Sequence, residues 1–364
     1  MKKILYVTTV SRTINAFLVP HIEMLNKEMG YKVDMACCID KEIDKSLFDL
    51  GSKVYNLPFS RNPLAISNMK AFKQLIKIQK ENNYDIVHVH TPVASIFGRL
   101  LKLKFKNLKT IYTAHGYHFF KDSSKLSWFL YYPIEKIMAK ITDITININQ
   151  EDYEITKNRL KPQKCYLMNG VGLDLNKYEP MSDFFIAEKR KSLGLEKDDF
   201  VIIMIAELNK NKNQMQLIKA MELLKDDYPN IKALLVGEGE NRKELEKEIK
   251  IRNLENNIQI LGFRTDVIEL INISNIGTLL SYREGLPRSI MEIMANGKKV
   301  IGTDIRGIRD LIGSENTVAI GDFFYLAEEI KLYYEKKKEL IVFKEIIEKY
   351  DIENIKKIIK KVHS

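Results

Sequence analysis

Ser281-Tyr282-Arg283-Glu284-Gly285-Leu286-Pro287-Arg288-Ser289-Ile290-Met291-Glu292-Ile293-Met294-Ala295-Asn296-Gly297 carries the most structural information in the chain. An apolar run over 276–281 reads as a strand, Gly285 permits a tight turn, Pro287 suits the first helical position, and Gly297 closes the helix. The amides of Arg288, Ser289 and Ile290 then lie at a helix start, where N–H groups outside the helical ladder and the helix dipole favour an anion such as phosphate. Glu284 falls in the turn, and Glu292, spaced to follow Arg288 and Ser289 by one turn, shares their helical face. Carboxylates repel phosphate and accept from hydroxyls, so acids flanking a phosphate cradle suit a sugar and a ribose. In isolation this spacing of two glutamates describes only a loop charge and a solvated helix residue; the strand, turn and helix around it give it meaning.

Working outward, short β-branched runs alternate with amphipathic segments, the pattern of βαβ units on parallel sheets. Strands are expected over 4–10, 32–38, 85–90, 110–114 and 142–148, with helices over 17–29 and 66–79. The same grammar restarts with strands over 200–206, 231–236, 258–261, 276–281 and 299–303, and helices over 213–224, 242–252 and 289–295. The expected fold is α/β, two Rossmann-like doubly wound domains facing a cleft, with ligand at the carboxyl ends of the strands. Domain one is placed at 1–168 and domain two at 199–338. Asn169-Gly170-Val171-Gly172 and Pro180-Met181-Ser182-Asp183 mark a hinge over 169–198. Residues 339–364 read as C-terminal helices that can pack back on the first domain, with Ile352, Ile355, Ile359 and Val362 as the apolar face of the last one.

The length of 364 residues fits two domains, and 45% hydrophobic with 29% charged residues fits an ordinary globular chain. No run of about 18 apolar residues is present, so no bilayer-spanning helix is expected. The 58 Lys+Arg against 48 Asp+Glu leave +10, which favours a polyanionic neighbour without choosing one. Cys37, Cys38 and Cys165 are odd in number and lack C-x-x-C spacing, pointing to a reducing compartment and neither disulfide nor zinc site. Polar Thr8, Thr9, Ser11 and Arg12 cut short the apolar run after Met1, which therefore reads as a first strand rather than an export signal. His88 and His90 alternate on a strand but lack an evident third metal ligand. No helix-turn-helix, RNP or zinc pattern supports nucleic-acid binding.

On the stretch from Glu284 to Gly297 the chain resembles the retaining, nucleotide-sugar-dependent glycosyltransferases of family four, which have the GT-B architecture, and more narrowly those of capsule and exopolysaccharide assembly. Thr113-Ala114-His115-Gly116, Asn169-Gly170-Val171, Val236-Gly237-Glu238-Gly239 and Leu261-Gly262-Phe263 agree in order and spacing. The resemblance implies that Glu284 holds the donor sugar, that Glu292 holds the ribose, and that His115 lines the reaction centre. It assigns Gly285, Leu286, Pro287, Arg288, Ser289, Ile290, Gly237 and Phe263 to the donor site, and it implies no metal or other cofactor. The family's Gly-Arg-x4-Lys run is replaced by Ala206-Glu207-Leu208-Asn209-Lys210-Asn211-Lys212. Lys212 matches the lysine, whereas Glu207 stands where an arginine is expected, so Glu207 should turn toward a protein partner or the acceptor while Lys212, with Lys210 or Arg288, supplies positive charge to the diphosphate. The paired glycines after strand one are also missing, leaving Arg12 or the amides near Thr13 as substitutes.

The implied reaction is retaining transfer from a UDP-sugar, best read as UDP-N-acetylhexosamine, to a lipid-linked or saccharide acceptor. Because no covalent nucleophile stands out, the expected route is same-face transfer. Arg99, Lys102, Lys104, Lys106 and Lys109, followed by an aromatic-rich segment over 117–132, suggest a cytoplasmic protein resting peripherally on the anionic inner face of the cell membrane. Competing readings are a nucleotide-sugar epimerase of the same architecture and a non-enzymatic two-domain sugar-binding protein.

Overall fold

β1 (Lys3–Val10) buries Ile4, Leu5, Tyr6 and Val7 completely. A strand that is apolar on both faces must be covered on both, which requires a central place in a helix-flanked parallel sheet. Around it lie β2 (Lys32–Cys38), β3 (Val54–Asn56), β4 (Ile86–His90), β5 (Lys109–Ala114), β6 (Ile144–Asn147) and β7 (Lys164–Leu167). The order is β3-β2-β1-β4-β5-β6-β7, with every pairing parallel. The two short outer strands were not legible beforehand, because three or four half-exposed residues carry little periodicity.

The computed structural model describes residues 1–121, 123–336 and 344–364, which divide into Met1–Gly172 with Ile352–Ser364, and Leu173–Asp351. The second unit holds β8 (Phe200–Ile205), β9 (Ile231–Val236), β10 (Ile258–Gly262), β11 (Ile276–Leu279), β12 (Lys299–Thr303) and β13 (Thr317–Val318). Its all-parallel order is β10-β9-β8-β11-β12-β13, over a core containing Ile202, Leu234, Ile290, Met291 and Ile301. In both sheets the order reverses beside the unit's first strand, at β1/β4 and at β8/β11, and loops at such switch points are free to receive a ligand.

The expected hinge over 169–198 contains one of the two boundaries between the units, and also a helix. The units divide at Gly172/Leu173 and at Asp351/Ile352. Inside the turn-rich segment Ser182 caps a helix, Asp183–Ser192, whose Lys189 pairs with Asp266 and Glu269. Turn-forming residues thus start a packed helix instead of loosening the chain. At the other end, residues 339–343 of the expected tail lie outside the described residues, while the helix Ile352–His363 belongs to the first unit and buries Ile355, Ile359 and Val362 there.

The basic patch expected over 99–109 also changes character. Arg99 is only 1% exposed and forms a fork onto Glu135, with Nη1 to Oε2 at 2.8 Å and Nη2 to Oε1 at 3.1 Å. It also donates to Ser95 and stacks over Tyr112 at 4.2 Å. Lys102 donates to the Leu108 carbonyl and to Asp143. The compensating acids lie too far along the chain for a local window to reveal them. Because a buried pair is expensive to break from one side, Arg99→Ala should cost about 3–5 kcal/mol of unfolding free energy in urea titration, and Arg99→Met with Glu135→Met should recover most of it. A loss below about 1 kcal/mol for the single variant would contradict the pairing.

Five histidines are engaged inside the first unit. His88 contacts His363 (Nδ1 to Nε2, 3.2 Å) and Thr113 (Nε2 to Oγ1, 2.8 Å), and His90 meets His115 (Nδ1 to Nε2, 3.0 Å). His363 bonds the Ile359 carbonyl and His21 that of Val171. Burial is the main cause that lowers all five, to about 4 in His21 and His115, to about 3 in His363, and well below the usual range in His88 and His90. The folded protein therefore keeps them neutral while the unfolded chain takes up protons below about pH 6.5. Stability should be full above that pH and fall as the pH drops toward the folded values, so the melting temperature should be lower at pH 5 than at pH 7; equal melts would contradict this.

Candidate active site

β11 ends in the core, and the chain then turns through Tyr282–Leu286 into the helix Arg288–Ala295. Pro287 holds extended angles (φ −75°, ψ 118°) as the residue ahead of the helix, one position earlier than the sequence suggests. Gly297 takes φ +68° just past the helix end, a conformation that favours glycine. The helical ladder begins with Met291 N donating to the Pro287 carbonyl, so the Ser289 and Ile290 amides precede it. The Ile290 side chain is buried in the core and Leu286 packs against it, so both fix the backbone rather than offer functional groups.

The charged side chains at this corner occupy one another. Lys212 Nζ donates to Glu284 Oε1 at 2.5 Å, with the two side chains 22% and 12% exposed. Glu292 Oε1 accepts from Arg288 Nε at 2.9 Å and from Tyr178 Oη at 3.3 Å. Burial and the adjacent Glu292 charge raise the Tyr178 hydroxyl above its usual range. Lys212 sits on the single turn Lys210–Lys212, capped by Asn209, whose Oδ1 accepts from Lys212 N at 3.1 Å. Tyr282 N donates to the Asn211 carbonyl at 2.8 Å and Asn211 Nδ2 to the Arg283 carbonyl at 3.1 Å, which ties this turn to the loop bearing Glu284. Tyr178, Asn209 and Asn211 were missed from sequence because nothing in their local pattern distinguishes them from surface residues.

Gly237 is held at φ +145°, and a Cβ there would lie 2.1 Å from the Ala206 carbonyl oxygen. The loops after β8 and β9 thus touch through backbone, a contact open only to glycine. Glu207 and Lys210 next to this contact are exposed, and Phe263 after β10 is 76% exposed. Glu207 bonds through its carbonyl to Gln214 and Asn209, and its carboxylate forms no salt bridge among the described residues. Of the two expected directions, a protein partner or the acceptor, the exposed side chain takes no salt-bridge partner among the described residues and points outward, while the glycine contact fixes the loop backbone.

Two expected residues lie in the first unit. His115 directly follows β5, with Gly116 next at φ +132°, and its imidazole bonds His90 and lies near Phe17. Arg12 donates from Nε to Asp40 at 2.5 Å, and Ser11 bonds the same carboxylate at 2.9 Å, so the arginine is part of a local ion pair. Among the described residues no group of three or more His, Cys, Asp or Glu is arranged to hold a metal ion. Behind His90, Thr91 adopts φ +65°, strained for a β-branched residue, and its hydroxyl accepts from Thr9 N at 3.0 Å across the β1/β4 switch point.

The family models described as "Glycosyl transferase 4-like" and "Glycosyl transferases group 1" match residues 3–149 and 185–350. The chain is 34% identical over 341 residues to the putative glycosyltransferase EpsD of Bacillus subtilis, covering 92% of this chain and 88% of that one. It is 28% identical to the Escherichia coli UDP-Gal:alpha-D-GlcNAc-diphosphoundecaprenol alpha-1,3-galactosyltransferase, covering 80% and 76%. Among solved structures, Anabaena HepE in complex with UDP and glucose superposes with a TM-score of 0.81 at 20% identity, covering 100% and 99%, which places the fold in the GT-B class. With two doubly wound units and relatedness along nearly the whole length, the non-enzymatic sugar-binding reading falls away: the chain belongs to family four of the glycosyltransferases.

Proposed function

We propose that the protein transfers a sugar from a UDP-sugar, with N-acetylhexosamine as the best candidate, to a lipid-linked saccharide at a membrane surface during capsule or exopolysaccharide assembly, with retention of anomeric configuration. The observation that carries this reading is the strand–turn–helix segment in which Glu284 pairs with Lys212 just ahead of the Arg288–Ala295 helix, while Glu292 on that helix pairs with Arg288. Two relatives support the donor and acceptor classes: one is a UDP-galactose transferase and another an N-acetylgalactosaminyltransferase, each acting on a diphosphoundecaprenol-linked sugar.

The diphosphate takes the helix amides and the Lys212 ammonium, which exchanges Glu284 for phosphate oxygen. Released from the lysine, Glu284 accepts from hydroxyls of the transferred sugar, while Glu292, already an acceptor from Tyr178, serves the ribose. The glycosidic C1–O(phosphate) bond breaks as the acceptor oxygen bonds C1 on the same face, and the acceptor proton passes to the departing phosphate oxygen. Charge growing on that phosphate is opposed by Lys212 and the amides, which perform the task otherwise given to a divalent metal. His115, held neutral by burial, contributes a hydrogen bond rather than a charge.

Three outcomes check this reading. UDP and UDP-sugars should raise the melting temperature more than GDP forms, and Glu292→Ala should abolish that shift; indifference to every nucleotide would remove the site. Lys212→Met should lower kcat by about 100-fold or more with a smaller effect on KM, since the lysine opposes charge that develops in the transition state. Transfer followed by proton NMR should yield the donor's own anomeric configuration, persist in EDTA and require acceptor; an inverted product, or a sugar altered without acceptor, would contradict it.

A further inference from the structure

The helix Lys125–Ala139 has two apolar faces. One packs inward: Trp128 and Tyr132 meet the Phe119 ring, Met138 and Ala139 are buried, and the helix's single acid, Glu135, is turned in against Arg99. The opposite face carries Leu126, Phe129, Leu130, Pro133, Ile134 and Ile137, an unbroken i, i+3, i+4 stripe in which Phe129 is 76% and Ile137 64% exposed. A stripe of large apolar side chains along a helix of roughly 22 Å marks an interaction surface rather than scattered exposure.

The surroundings of the stripe are cationic. Lys125 and Lys140 are exposed at its two ends. Lys136 donates to the Arg159 carbonyl, which brings the exposed Lys157, Arg159 and Lys161 alongside, and the Arg159 guanidinium lies 5.1 Å from the Trp128 ring centre. The chain's charge is also unevenly shared. The unit bearing this helix has 30 Lys+Arg against 16 Asp+Glu, or +14, whereas the other has 28 against 32, or −4. Together these account for the whole-chain +10.

We propose that this helix lies in the interface of an anionic bilayer, with Phe129, Leu130 and Ile134 embedded among the acyl chains and the surrounding lysines and arginines on the lipid phosphates. A convex single-helix stripe with cations at its ends matches a helix lodged in the headgroup region, and a helix that buries its only acid inward loses nothing by entering it. A second copy of the chain would bring the same positive charge to the same face, which disfavours self-association. The proposal deepens the reading of a membrane-borne acceptor while resting on its own observations.

The experiment compares wild type with the Phe129→Ser, Leu130→Ser, Ile134→Ser variant in co-sedimentation with phosphatidylglycerol/phosphatidylcholine vesicles and with pure phosphatidylcholine vesicles. All three side chains are exposed, so the variant should keep the wild-type melting temperature and the emission of Trp128, the chain's one tryptophan, which reports that the inner face remains docked. Wild type should pellet with the anionic vesicles and less so as salt rises, and the variant should bind roughly tenfold or more weakly. Equal pelleting of the two proteins would overturn the proposal, as would a wild type that ignores vesicles, whether it sediments as a monomer or as a dimer that the substitutions dissociate. Transfer to a water-soluble acceptor should be unchanged in the variant; absence of transfer in both proteins, with vesicle binding intact, would count against the catalytic reading alone.

Discussion

Parallel strands buried on both faces leave little room for charge, Asp34 on β2 being held there by Lys53 N and the Tyr84 hydroxyl, and the location of the chemistry follows from that constraint. With Ile4 to Val7 and Ile202 to Met204 sealed in their sheets, ionisable groups are displaced to the loops at the carboxyl ends, where the order of strands reverses. The pairing of Lys212 with Glu284, from the loops after β8 and β11, is one result. The close passage of Gly237 past Ala206 is another, because loops leaving adjacent central strands converge. Where polar side chains do lie on an inner strand, as His88 and His90 do on β4, burial holds them neutral and they bond other buried groups, His88 to His363 and Thr113 and His90 to His115.

Without donor, the corner is electrically balanced. Lys212 with Glu284, and Arg288 with Glu292, form two close pairs, so in the proposed donor site a diphosphate would have to take over the lysine before the first carboxylate could read a sugar hydroxyl. Ground-state neutrality has a use: an unpaired carboxylate beside a phosphate site would repel the ligand, whereas one released by the ligand's own arrival is positioned at the moment it is needed. The hydrogen bonds from Tyr282 and Asn211 tie the two loops together without using any of the four charged side chains.

The same economy of charge distinguishes the surface. A window of lysines and an arginine between 99 and 109 looks like a docking patch when read along the chain, yet Arg99 and Lys102 are committed to Glu135 and Asp143. The inward turn of Glu135 leaves the opposite face of its helix wholly apolar. A buried ion pair inside the unit and an uncharged stripe outside it are therefore two aspects of one helix orientation.

Periodicity alone determined the α/β class, the repeated doubly wound pattern, the ten longer strands and the strand–turn–helix motif from Ser281 to Gly297, because hydrophobic spacing and turn chemistry are local properties. It also placed Glu284 in the turn and Glu292 on the helix that follows, since both positions depend only on local chain geometry. Tertiary structure decided the rest: that Lys212 reaches Glu284 across 72 residues, that Tyr178 rests on Glu292, that Arg99 is internal, that His363 returns to His88 across 275 residues, and that the segment after Gly172 is a packed helix rather than a linker. The reason is physical: an ion pair or a buried face depends on which distant segment arrives opposite, and no local window of sequence contains that segment.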